Sequence, residues 1–248
     1  MFLGHFAVAY AAKPLAARIS LGTAFLCAQF LDLLWPTLLL AGVETVRIAP
    51  AGSTVPLVFE SYPYSHSLVA ALFWAALVAL VHFAFRRSKV GALVVGALVV
   101  SHWLLDLVVH VPDLPLVPGG DVKWGFGLWQ WKGAALAVEL ALFGCGVYLY
   151  TRATRPLDGT GRWAHVALVA FLAVIQFANV FGPPPPGVSP IAWVGQAQWL
   201  LVAWAYWVDS RRRPVAAAPA CPGAPTLTPA GYPPPAPHAP TPSPRRAP

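Results

Sequence analysis

The chain has 248 residues, of which 58% are hydrophobic and only 10% charged, with 11 tryptophans. A soluble globular domain carries about a quarter charged residues, so this composition excludes an ordinary soluble domain and points to a membrane bundle. The net charge of +7 does not indicate nucleic acid, because the basic residues sit in small clusters at the ends of apolar blocks rather than along one stripe.

Residues 1–12 (MFLGHFAVAYAA) are apolar, but as a helix they would rise only ~18 Å, short of a ~30 Å hydrocarbon core. They are expected to lie on the surface or to dip in. Six longer apolar blocks follow, at about 20–42, 66–86, 90–111, 131–151, 163–182 and 190–208, each near the ~20 residues that cross a bilayer. Lysine and arginine alternate between the connections. Lys13 and Arg18 precede the first block; Arg86, Arg87 and Lys89 follow the second; Arg152, Arg155 and Arg162 follow the fourth; Arg211, Arg212 and Arg213 follow the sixth. All four clusters fall on one side, which the positive-inside rule makes cytoplasmic. The expectation is an all-α polytopic membrane helix bundle over residues 1–210, with about six transmembrane helices and both termini cytoplasmic. No cleavage pattern follows the first block, so it is read as a retained anchor. Residues 211–248 change to Pro and Ala with few large side chains, and they read as a disordered cytoplasmic tail whose Pro233–Pro235 could dock a cytoplasmic partner. Three cysteines, Cys27, Cys145 and Cys221, give neither a disulfide framework nor a zinc-finger spacing.

Ionisable residues inside apolar spans cost about 2.5–3.5 kcal/mol each at mid-bilayer on insertion scales, so each needs a partner or a task. In the third block His102, Asp106 and His110 follow at i, i+4 spacing and share a helix face within an arc of about 80°. His-x-x-x-Asp on a helix is a spacing at which two side chains ligate one ion. His66, in Tyr64-Ser65-His66-Ser67, opens the second block on the same side. Asp32 lies deeper in the first block, before Trp35-Pro36, and a kink at Pro36 would lift it. Glu139 is the only acid of the fourth block. Two histidines with one or two carboxylates suit zinc first, then manganese or iron. Glu139 or Asp32 could take a proton from a polarised water. Arg47 and Lys123, on the outer connections with Lys132, could attract an anionic head group. The plainer alternative is a hydrogen-bonded polar seam between helices. Trp124, Trp129 and Trp131 read as an aromatic belt.

The succession Gly4-His5-Phe6, Phe30-Leu31-Asp32 followed by Pro36, Ser65-His66-Ser67, and Ser101-His102-Trp103-Leu104-Leu105-Asp106 resembles the bacterial membrane-bound metal-dependent hydrolases over roughly residues 1–120. That family shows an early His, an Asp motif ending in Pro, a Thr-His-Ser motif and a final His-x-x-x-Asp. The resemblance implies an inner-membrane protein in which His5, Asp32, His66, His102 and Asp106 are the corresponding polar positions. It gives His5 a role that topology alone denies, because an inward N-terminus leaves His5 on the cytoplasmic side unless residues 1–12 insert as a half-helix. The chain departs from the family where Leu31-Asp32-Leu33-Leu34-Trp35-Pro36 stands for a motif richer in Asp and His, which leaves donors for one metal ion.

The leading expectation is therefore a metal-dependent hydrolase acting on an ester or phosphoester near the outer membrane face, with membrane lipids around it. The alternatives are a small-solute or proton-coupled permease, since buried acids and histidines also relay protons, and a non-enzymatic membrane protein with a structural seam.

Overall fold

Backbone amides removed from water must bond to one another, and an apolar run of about twenty residues does this as a helix. The structure is a computed structural model that describes residues 1–50 and 52–215. In chain order it runs α1 (Phe2–Ala11), α2 (Leu21–Ala28), α3 (Phe30–Leu40), the hairpin β1 (Thr45–Ile48) and β2 (Leu57–Ser61), the single turn α4 (Pro63–His66), α5 (Leu68–Arg86) and α6 (Lys89–Val109). Then come the short pair β3 (Leu114–Pro115) and β4 (Lys123–Trp124), α7 (Lys132–Ala153), β5 (Thr154–Pro156), α8 (Gly159–Phe181), α9 (Val188–Gln196), α10 (Gln198–Ser210) and β6 (Arg212–Pro214). Among the described residues, α5, α6, α7 and α8 are long and apolar enough to cross a membrane. Polar caps set the starts of α5, α6 and α8: Ser67 accepts from the amide of Ala70, Ser88 from Gly91 and Asp158 from Gly161. Phe73, Leu80 and Phe85 on α5 are 61%, 65% and 82% exposed, an apolar face suited to lipid rather than water.

Two expected spans differ. The first is split into α2 and α3, bent by 55°, and makes a fifth span when the two are joined. The break lies at Gln29, between α2 and α3, and not at Pro36, which sits inside α3. The sixth block forms α9 and α10, of 9 and 13 residues, interrupted at Ala197. Gly195 on α9 lies against the ring of Pro36, where a side chain would have no room, so α9 follows α3.

Within residues 1–12, α1 is buried against the rest of the chain, with Leu3, Phe6 and Tyr10 fully covered. It runs alongside α7. A Cβ on Gly146 would meet the carbonyl of Ala7, so the missing side chain is what lets the two backbones approach. Tyr10 packs edge-on against Phe143 and Tyr150, and the amide of Leu3 donates to Glu139 Oε2 at 2.7 Å.

The end of the bundle holding Lys13, β5 and β6 is tied by polar contacts. Lys13, expected as a surface topology signal, is 6% exposed; its Nζ donates to both oxygens of Asp209 at 2.9 and 3.0 Å and to the carbonyl of Ile19 at 3.0 Å. Arg212 donates through Nε to Thr154 Oγ1 and through Nη1 to the carbonyl of Gly161. Thus Arg212–Pro214, placed by the sequence in the tail, is a strand antiparallel to β5; residues 216–248, with Pro233–Pro235, lie outside the described residues.

Candidate metal centre

Five polar side chains from four helices meet inside the bundle near the hairpin end. His102 and Asp106 come from one face of α6, one turn apart; His66 ends α4; Asp32 sits in the first turn of α3; His5 comes from α1. His5, His66, His102 and Asp106 are each no more than 4% exposed, and the Asp32 side chain is 27% exposed. One nitrogen or oxygen from each of His5, Asp32 and His102 lies within 4.8 Å of the others, and the same holds for His66, His102 and Asp106. These residues form a buried cluster able to coordinate a metal ion.

The ring orientations are fixed from behind. Helix α2 ends at Ala28, and helix ends leave carbonyls without an intrahelical partner; His102 Nδ1 donates to the carbonyl of Ala28 at 2.7 Å. Glu44, 1% exposed, accepts from the amides of Tyr64 and Ser65 at 2.8 and 2.9 Å and from the Ser65 hydroxyl at 2.6 Å. With its proton directed to Glu44, Ser65 Oγ accepts from His66 Nδ1 at 2.7 Å. In the neutral form of each ring this leaves Nε2 as the lone pair turned toward the cluster.

What those lone pairs face decides the chemistry. His102 Nε2 is 3.2 Å from Asp106 Oδ2 and 3.7 Å from Asp32 Oδ1; His66 Nε2 is 3.5 Å from Asp32 Oδ1 and 3.7 Å from Asp106 Oδ2. His102 Nε2 is buried without a hydrogen-bond partner. Lone pairs aimed at carboxylates repel unless a positive charge lies between them, and two imidazole nitrogens with two carboxylate oxygens are a donor set for zinc, manganese or iron. His5 completes the wall: its ring stacks on His102 at 3.6 Å between centroids, and its Nε2 lies 3.1 Å from Asp106 Oδ1. The Met1 amino group also bonds Asp106 Oδ1.

The remaining sequence candidates fall elsewhere. Glu139 lies one helix away, holding the amide of Leu3 through Oε2. His110, on the same sequence stripe as His102, pairs with Asp113 at 2.9 Å, since α6 ends at Val109 and the chain turns away. Arg47 forms an exposed ion pair with Glu60 at 3.0 Å, Lys123 is exposed on β4, and neither lines a cavity at the centre. Missed by the sequence were Glu44, Ser65 as a relay, and Trp129, whose ring packs 4.6 Å from His110. Beside them, the Tyr62 hydroxyl donates to Asp113 at 3.0 Å; burial first, then the Asp113 carboxylate, push its pKa above the usual phenol value, so it stays a donor. A cavity of about 160 Å³ opens onto the centre between Asp32, Trp35, Phe59, His66, Asp106, His110 and Trp129. Compared with known proteins, the chain matches no family model, no curated protein and no solved structure.

Proposed function

We propose that this chain is a membrane-bound metal-dependent hydrolase of the bacterial inner membrane, acting on an ester or phosphoester near the outer face. In this proposal the chain crosses six times with both termini cytoplasmic, α2 with α3 and α9 with α10 each serving as one crossing. The lysine and arginine alternation supports that orientation. The observation that carries the function is the convergence of the His66 and His102 lone pairs on Asp32 and Asp106 beside an open cavity. The resemblance in motif order to the membrane-bound metal-dependent hydrolases points the same way.

His66, His102 and Asp106 would hold the ion, with His5 and Asp32 closing the set, and zinc is the ion we assign, ahead of manganese or iron. Bound there, it would supply a Lewis acid that lowers the pKa of a water. The protein's own part is positional. Ala28 and the Glu44–Ser65 pair hold the two imidazoles in one tautomer. Asp32, the one cluster member with substantial exposure, is placed to accept a proton from a water in the small cavity. Glu139, lining the adjoining larger cavity, is the second candidate base.

The test is metal content by mass spectrometry on detergent-purified wild type and a His102→Ala/Asp106→Ala variant, both monodisperse, followed by lipid ester and phosphoester screens. About one ion per chain, absent from the variant together with hydrolysis, is the expected result. No ion in the wild type after purification without chelators and attempted reloading would overturn it.

A further inference from the structure

A second, larger cavity of about 640 Å³ lies beside the first. Its walls come from α1, the β1–β2 connection, α7, the end of α8, Pro183–Pro186 and α9. Phe2, Phe59 and Trp129 line both cavities, so the two spaces adjoin across these three rings, beside His66 and Asp106. Helix α9 packs on α3 while α8 packs on α10, and both α8 and α9 contribute to the lining. Alanine, valine, isoleucine and proline dominate the lining.

Six polar side chains interrupt the apolar wall, Ser53, Thr54, Lys132, Glu139, Gln176 and Asn179, and of these Glu139 already holds the amide of Leu3. Lys132, at the start of α7, is the only lysine or arginine in it. Gln176 on α8 is 3% exposed, and its Oε1 has no hydrogen-bond partner among the described residues; a buried acceptor of this kind calls for a donor. The volume is that of a site enclosing one drug-sized ligand, hence one hydrocarbon chain rather than two.

We propose that this cavity receives the hydrocarbon chain of an anionic single-chain lipid. Its hydroxyl donates to Gln176, its anionic phosphate lies near Lys132, and its scissile carboxylic ester reaches between the three aromatic rings to the metal centre. This substrate class rests on the hydrolase proposal for its chemistry, but the binding does not depend on an ion or on turnover.

The probe is a lysophosphatidate bearing a diazirine near the chain end, crosslinked by light to the full-length protein in detergent, with labelled peptides located by mass spectrometry. Labels are expected within residues 49–59 and 176–194, and labelling is expected to be lost in Ala135→Trp and in Ile191→Trp, which fill the cavity from two different helices, while metal content is unchanged. In wild type, unlabelled hexadecyl lysophosphatidate should compete at least about a hundredfold better than butyl phosphate, since each buried methylene contributes ~0.8 kcal/mol. Labels spread over the exposed face of α5, or equal competition by the two compounds, would overturn the proposal. A protein that binds the probe in the cavity but holds no metal would sink the hydrolase reading and leave the lipid site standing.

Discussion

Glu44 sits in a loop by sequence and at the core of the site's support by structure. Its carboxylate accepts three hydrogen bonds from Tyr64 and Ser65, and through Ser65 it sets which nitrogen of His66 carries the proton. Replacing Ser65 with Ala removes the acceptor of His66 Nδ1 and a donor to Glu44; loss of such a supporting contact lowers metal affinity by about 10–100-fold. Competition titration with a chelator should show that loss, and Ser65→Thr should restore most of it. An unchanged affinity in Ser65→Ala would show that the hydroxyl does not orient the ring. At the opposite end, Lys13→Met leaves Asp209 with the hydroxyl of Tyr150 but no cation. Breaking such a largely buried pair should cost about 3 kcal/mol, read as a lower thermal midpoint that Lys13→Met/Asp209→Asn partly recovers. His102 and Asp106 were legible in the sequence because a helix converts their spacing directly into a shared face. Glu44 was not, because its role depends on residues 44 and 65 meeting, a tertiary event that no local pattern records.

Among the elements, the bend at Gln29 and the seating of α1 do most to assemble the cluster. The long helices were readable from apolar length alone, since length and lack of charge are all that a span requires. The bend was not: Pro36 offered a local reason to kink, yet the chain breaks seven residues earlier, where the Ala28 carbonyl is taken by His102. Similarly, α1 is too short to cross, and only α7 reveals where it goes, through Glu139 at its N-terminal turn and Gly146 beside Ala7. Gly146→Leu should therefore push α1 off α7 and withdraw His5. Its effect on metal affinity should match that of His5→Ala, and the double variant should be no worse than either single one, the non-additivity expected of two changes that remove one contact. Additive losses would show that α1 matters by some route other than His5.

At the scale of the molecule, the proposed topology puts the β1–β2 hairpin outside and β5–β6 inside. In a background with Cys27, Cys145 and Cys221 replaced, Arg47→Cys should react with a membrane-impermeant maleimide on intact cells, whereas Arg155→Cys should react only after permeabilisation; the reverse pattern would invert the bundle and place the lipid cavity at the inner leaflet. The larger cavity had no sequence signature, because its lining comes from segments far apart in the chain, residues 2, 49–59, 129–139 and 176–194. One structural relation also fixes an order of events. The seat of α1 is built from Glu139, Phe143, Gly146 and Tyr150, all made more than a hundred residues after His5. During synthesis the segment carrying His5 must wait, unseated, until α7 has left the ribosome. The cluster is therefore closed only after α7 is made, by a segment synthesised more than a hundred residues before it.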